Sequence, residues 1–288
     1  MRRIRKAVHA GYCWGVERAL DMVQHTAETH KDVPVRTLGP IIHNPQVVRS
    51  LSEKGVQAIE SLEEMGVGGT VIIRTHGVAP AVYQQAQAKG LTVVDATCPL
   101  VTLVQNKAKQ LVTEGYHLII FGNPKHPEVI GTLGHAGGTA TVIENPEDVR
   151  QAKLPKKVGV VVQTTQETER VSELLSYLAP RCKEIKVFNT ICNPTIERQD
   201  AARDLAREVQ VMIVVGGKNS SNTRHLAAVC REEGATTYHI EEPNEVEPGW
   251  FAGVHEVGVT AGASTPGWLM DQVIERIQEL ERRDLLPA

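Results

Sequence analysis

Aromatic side chains are scarce, at 4% of 288 residues, so the core must rest on Val, Ile, Leu and Ala. Long apolar runs are missing too. No stretch approaches the roughly 18 consecutive apolar residues that would cross a bilayer. The opening MRRIRKAVHAGYCWGVERAL has the basic start of a signal peptide, but His9, Gly11, Glu17 and Arg18 interrupt the apolar segment that should follow. A cytoplasmic protein beginning with a basic strand is expected. There is no excess of positive charge, since the net charge is −3 and the pI is near 6.4. That argues against a nucleic-acid partner or an anionic membrane surface. No two of the five cysteines form a Cys-x-x-Cys pair, which removes zinc-ribbon and thioredoxin signatures, and their odd number argues against a disulfide framework. Flavin and dinucleotide fingerprints are likewise absent.

What is present is the balance of an ordinary globular chain, 41% hydrophobic and 23% charged. Three cysteines share a context: Cys13 in AGYCWGVERALDMV, Cys98 in VVDATCPLVTLVQNKAKQLV and Cys192 in VFNTICNPTIERQDAARDLA. Each closes an apolar or small-residue run and opens a helical pattern. Val16, Leu20, Val23 and Ala27 mark the first, Val101, Val104, Ala108 and Leu111 the second, and Ala201, Leu205 and Val209 a weaker third. The intervals between the cysteines, 85 and 94 residues, are domain-sized.

The rest of the unit repeats in order. A strand and polar loop follow each cysteine helix (VRTLGPIIHNP, HLIIFGNPKHPE, VMIVVGGKNSSN), then a helix, then a second strand and loop (TVIIRTHG, VGVVVQTT, EVGVTAGAS), then a further helix. Continuously apolar strands such as VGVVV and MIVV suit parallel sheets covered on both faces. The pattern predicts an α/β protein of three similar domains, 1–97, 98–191 and 192–288, each a small parallel sheet with helices. A single large doubly wound sheet is the competing reading. Packed around a pseudo-threefold axis, the three domains would form a trefoil whose loops, at the carboxyl ends of the strands, converge on a central cavity.

Three thiolates could meet in such a cavity. A structural zinc site wants four protein ligands, while a catalytic Cys₂His zinc stays open. An iron–sulfur cluster held at three corners would leave one iron free to act as a Lewis acid. Buried structural cysteines remain the plain alternative, and that reading fits Cys182 and Cys230, which lie in helical patterns. The first loops carry His43, His126 and Glu128, and Ser220, Ser221 and Asn222. The second carry His76, then Gln163, Thr164 and Thr165, then Ser264. With backbone amides at the following helix starts, these neutral donors suit an anionic group such as phosphate. Arg74 and Lys218 are the nearest cations. KNSSN could equally be helix N-capping, and QTTQET resembles a capping box.

Nine motifs in order, GYCWGVERAL, LGPIIHNPQVV, RTHGV, DATCPLV, HPEVIGT, QTT, NTIC, KNSSNT and VTAGAS, make the chain resemble the LytB-type 4-hydroxy-3-methylbut-2-enyl diphosphate reductases from about residue 8 to 280. The resemblance implies a 4Fe-4S cluster on Cys13, Cys98 and Cys192, with one iron lacking a protein ligand. His43, His76, Ser220, Ser221, Asn222 and Ser264 match the diphosphate-binding positions, and His126 a further pocket histidine. Glu128 corresponds to the acid of proton delivery, with Thr164 beside it. It is the one carboxylate in the three first loops, and Pro127 is expected to hold it apart from His126 in a short extended step. The implied reaction is reductive dehydroxylation of the allylic alcohol diphosphate, the last step of the non-mevalonate isoprenoid pathway, with ferredoxin or flavodoxin as donor and a monomer as the expected state. NTIC in place of the frequent DTIC, Trp14 after Cys13 and Asn193-Pro194 after Cys192 depart from common family wording without removing a ligand. Two rivals are a zinc hydrolase of a phosphorylated metabolite and a non-enzymatic iron–sulfur sensor.

Overall fold

The computed structural model describes residues 2–284; residues 285–288, the end of the expected third domain, lie outside it. In chain order the elements are β1 (Arg3–Lys6), α1 (Trp14–Thr29), β2 (Val35–Leu38), α2 (Pro45–Glu53), β3 (Gln57–Ile59), β4 (Thr70–Ile73), α3 (Pro80–Ala88), β5 (Thr92–Asp95) and α4 (Pro99–Thr113). Next come β6 (His117–Phe121), α5 (Pro127–His135), β7 (Thr141–Ile143), β8 (Lys157–Val162), α6 (Thr168–Leu178) and β9 (Glu184–Phe188). The last are α7 (Asn193–Glu208), β10 (Val211–Val215), α8 (Ser221–Glu232), β11 (Thr236–Ile240), β12 (Glu256–Ala261) and α9 (Gly267–Asp284).

The strands form three four-stranded sheets, in the orders β3-β2-β4-β5, β7-β6-β8-β9 and β11-β10-β12-β1. Every pairing is parallel. This is the α/β class the alternation predicts, and it replaces the single doubly wound sheet. The central strands are buried along their length, as in HLIIF and VMIVV, because helices cover both faces. In each sheet the two central strands end level: Leu38 lies opposite Ile73, Phe121 opposite Val162 and Val215 opposite Ala261. Their loops therefore leave each sheet side by side. A glycine three residues before the end of β8 and of β12 lets a cysteine helix close down. A Cβ on Gly159 would lie 2.7 Å from Leu111 of α4, and one on Gly258 would lie 3.1 Å from Leu205 of α7.

Two features depart from the sequence reading. The edge strands β3, β7 and β11 had no place in it; their side chains are largely half-exposed or exposed, so the apolar run that marks a central strand is lacking. The strand ahead of Cys13, expected in the 1–97 domain, instead pairs with β12. The strand before each cysteine is thus the fourth strand of the preceding repeat's sheet. For Cys13 the preceding repeat is the last one in the chain.

By packing, the chain forms two compact units. One comprises Met1–Trp14, His43–Val47 and Asn193–Ala288 and holds the β11-β10-β12-β1 sheet; the other comprises Gly15–Ile42 and Val48–Cys192 and holds the remaining two sheets. In the first, one core joins β10 and β12 to Leu269, Val273 and Ile277 of α9, and another joins the opposite sheet face to Ala202, Leu205 and Leu226 of α7 and α8. In the second unit, Val71, Ile73 and Ala86 belong to one core and Val104, Leu111, Leu118 and Val161 to the other. Val101, Val104, Ala108 and Leu111 of α4 are all buried as the periodicity predicts. In α1 the inner stripe is Val16, Ala19, Val23 and Thr26, leaving Leu20 and Ala27 half-exposed. Leu205 of α7 and Val209 just beyond its end are buried, but Ala202 takes the inner place expected of Ala201. No helix among the described residues is long and apolar enough to cross a membrane.

Candidate functional site

Each cysteine of the repeat is fixed by the same bond. The Cys98 amide donates to the Thr75 carbonyl (2.9 Å), that of Cys192 to Thr164 (3.1 Å) and that of Cys13 to Ala263 (3.3 Å). Each acceptor stands two residues beyond the end of the third strand of its repeat, β4, β8 or β12. The parallel ladder in effect runs on past the strands and holds the cysteines at matching positions. None of the three is in a disulfide, and all are half-buried. The other two differ. Cys230 is packed in an apolar core, where burial pushes its thiol up to about 12, and burial also raises Cys182. Cys230 of α8 fits the structural reading, whereas Cys182, expected in a helix, is half-buried in the connection between α6 and β9.

In the two-sheet unit the acid site is built on α5. His126 is the N-cap, Pro127 supplies the first helical residue and Glu128 falls in the first turn. The extended step expected around Pro127 thus ends at His126; Glu128 is already helical. Its carboxylate is 2% exposed and accepts from the Thr164 amide and from Thr164 Oγ1, both at 2.7 Å. Burial raises this carboxyl to about 7 against the opposing pull of the two Thr164 bonds. His126 Nδ1 accepts the Glu128 amide at 3.3 Å, so the neutral ring carries its proton on Nε2. The His76 ring stands edge-on to His126 with centroids 5.2 Å apart. That approach depends on α5 lying close over residues 77–79. A Cβ on Gly134 would fall 2.4 Å from that of Ala79, and His135 reaches the Val78 carbonyl at 3.1 Å. Gln163 braces the first loop by accepting the Asn123 amide at 3.0 Å.

The other unit gathers His43, Ser220, Ser221, Asn222 and Ser264. Ser264 Oγ donates to the His43 carbonyl at 3.2 Å, and a Cβ on Gly217 would stand 2.5 Å from that carbonyl. Ser220 caps α8 by accepting from the Thr223 amide at 3.3 Å, so the capping reading of KNSSN holds for this serine. Asn222 is 5% exposed, and neither its Oδ1 nor its Nδ2 has a hydrogen-bond partner. A buried carboxamide left so costs about 1–3 kcal/mol and calls for an explanation. Gly262 lies against Thr223, the residue after Asn222, since a Cβ there would fall 2.1 Å from the Thr223 hydroxyl.

Of the cations named from sequence, only Lys218 forms an ion pair among the described residues, and the buried Arg74 Nε makes no hydrogen bond. Lys218 pairs with Glu245, and Arg74 lies over Gly39, where an added Cβ would strike its guanidinium. QTTQET forms no capping box, because the side chain of Glu167, the N-cap of α6, makes no capping hydrogen bond. Two buried residues have no counterpart in the sequence reading. Arg198 of α7 donates to the Gly11 carbonyl at 2.8 Å and so holds the loop before Cys13. Gln105 of α4 sits where a Cβ on Gly77 would be, 2.6 Å from its Nε2. Helical periodicity counts both as polar, which hid them.

The LytB protein family matches residues 4–278. A 4-hydroxy-3-methylbut-2-enyl diphosphate reductase of Geobacter sulfurreducens is 50% identical over 277 residues, covering 96% of this chain and 97% of that one. The enzyme of that name from Aquifex aeolicus is 48% identical over 95% of each. Among solved structures, one of (E)-4-hydroxy-3-methyl-but-2-enyl diphosphate reductase, the terminal enzyme of the non-mevalonate pathway, is 48% identical with a TM-score of 0.70, covering 97% of this chain and all of that one. The reductase of Plasmodium falciparum is 28% identical with a TM-score of 0.91, over 95% of this chain and 87% of that one. With matches that span nearly its whole length, the chain belongs to the LytB protein family.

Proposed function

We propose that the chain is a 4-hydroxy-3-methylbut-2-enyl diphosphate reductase. It takes two electrons and two protons to remove the allylic hydroxyl as water, giving isopentenyl and dimethylallyl diphosphates. The observation that carries the reading is the buried Glu128 carboxyl, held by Thr164, whose own carbonyl holds Cys192.

The donor set suits an iron–sulfur cluster. Three half-buried cysteines, none in a disulfide, recur at equivalent positions, and three thiolates leave a fourth corner open, as a 4Fe-4S cluster that binds substrate requires. Cys13, Cys98 and Cys192 would hold it. When bound, such a cluster supplies the electrons and a Lewis acid for the departing hydroxyl. The remaining steps fall to the side chains. His43, Ser220, Ser221, Asn222 and Ser264, with His76 and His126, would grip the diphosphate, and the open carboxamide of Asn222 is the group a phosphate oxygen would satisfy. Burial raises the Glu128 carboxyl to about 7, which keeps its protonated form accessible near neutral pH, the condition for an effective general acid. Once protonated, it donates through Oε2 to Thr164 Oγ1, whose hydroxyl hydrogen is then released toward the substrate oxygen. Electrons come from an external carrier of the ferredoxin or flavodoxin kind.

Anaerobic purification tests this. The expected protein is brown, with ~4 Fe per chain, and converts the allylic alcohol diphosphate to C₅ diphosphates with a strong reductant. A colourless protein with one zinc, or a brown one without turnover, refutes it.

A further inference from the structure

The geometry points to Thr75 as a positioning residue for the same reaction, the counterpart in the first repeat of Thr164 in the second; the inference rests on the reductase reading. Both threonines stand two residues past the end of a third strand. Both turn their amide and their hydroxyl onto a single group of the first loop. For Thr164 that group is the Glu128 carboxylate. For Thr75 it is the Ile41 carbonyl, reached at 3.3 Å by the amide and 2.9 Å by Oγ1. Both carbonyls accept the amide of a repeat cysteine, Cys192 in one case and Cys98 in the other. The third repeat has Ala263 at this place, which keeps the bond to Cys13 but has no hydroxyl.

Thr75 therefore ties three chain segments with one residue. It precedes His76, its carbonyl anchors Cys98, and its two donors fix Ile41, two residues before His43. At 7% exposure, with Ile41 and Ile42 at 1% each, none of these groups has water to fall back on. Thr75 meets no substrate itself. It sets where His76 stands relative to Cys98 and holds the chain at Ile41, as Thr164 does for Glu128 and Cys192. The Arg18 guanidinium, bonded to the Thr97 carbonyl at 3.2 Å, steadies the same turn from α1.

Thr75→Val keeps the buried shape and removes only the hydroxyl, and Thr75→Ser restores it. In the holoenzyme, Thr75→Val should keep the iron content and absorbance of wild type, raise KM for the allylic diphosphate about five-fold and leave kcat within two-fold. That corresponds to one net hydrogen bond of about 1 kcal/mol. Amide exchange of residues 39–43 and 96–98 should quicken about as much, and the serine variant should return both readouts to wild type. A role in stability alone would lower the melting temperature and leave KM in place. An unmoved KM, or unmoved exchange, overturns the inference. Should wild type not turn the substrate over at all, the reductase reading fails, and the exchange measurement still decides whether Thr75 ties these segments.

Discussion

Replacing Glu128 by Gln should stabilise the protein above neutrality while abolishing its chemistry, and the size of the gain can be worked out. Burial raises the folded carboxyl from 4.5 to about 7. Folding therefore favours the protonated form. The stability this contributes is fully present below pH 4.5 and is lost as pH rises to about 7. A shift of ~2.5 pH units at ~1.4 kcal/mol each makes the ionised form roughly 3 kcal/mol worse than the neutral one above that pH. The carboxamide of the variant would never ionise. Its carbonyl can still accept from the Thr164 amide, and the Thr164 hydroxyl can rotate to accept from the new NH₂. For 288 residues an unfolding entropy of ~2 cal/mol/K per residue converts 3 kcal/mol to roughly 5 °C. Thermal unfolding of wild type and Glu128→Gln, followed anaerobically from pH 5 to 8.5, should show curves that nearly coincide at pH 5 and separate with the variant higher by pH 8. A gap of constant size across that range, or a variant less stable at pH 8, would refute the account of Glu128 as a carboxyl kept neutral by burial.

Three other outcomes follow from the same geometry. Turnover by wild type should fall as pH rises through about 7, because the proton-bearing form of Glu128 is lost there; a rate flat from pH 6 to 8.5 would contradict it. Asn222→Ala should raise KM at least ten-fold yet cost no stability in a melting experiment, since its buried amide makes no hydrogen bond to lose. Gly77→Ala should destabilise by about 1–3 kcal/mol in denaturant titration, because φ is +69° there and the new methyl meets Gln105 Nε2 at 2.6 Å.

Most of what was legible in the sequence came from recurrence. HLIIF, KVGVVV and VMIVV announce buried parallel strands, and the cysteine intervals announce the repeat. Glu128 could be picked out as the lone carboxylate of its set, but not its hydrogen bonds, since Thr164 is 36 residues away in sequence. Edge strands such as Gln57–Ile59 escaped because half-exposed residues carry no apolar run. Arg198 and Gln105 escaped because a buried polar side chain looks like a surface one until its partner is known. The pairing of Arg3–Lys6 with Glu256–Val259 was beyond any local signal, for it joins opposite ends of the chain.

That pairing has a consequence for how the protein is made. Lys6 leaves the ribosome about 250 residues before its strand partner Val259, a delay of roughly 13–50 s at ~5–20 residues per second. Until then the N-terminal strand has no sheet to join, and the carbonyl of Ala263 that anchors the Cys13 amide does not exist. The first cysteine synthesised is the last to be fixed in place. Its segment, with the apolar side chains of Ile4 and Ala7 still uncovered, is where a nascent chain would depend most on a chaperone.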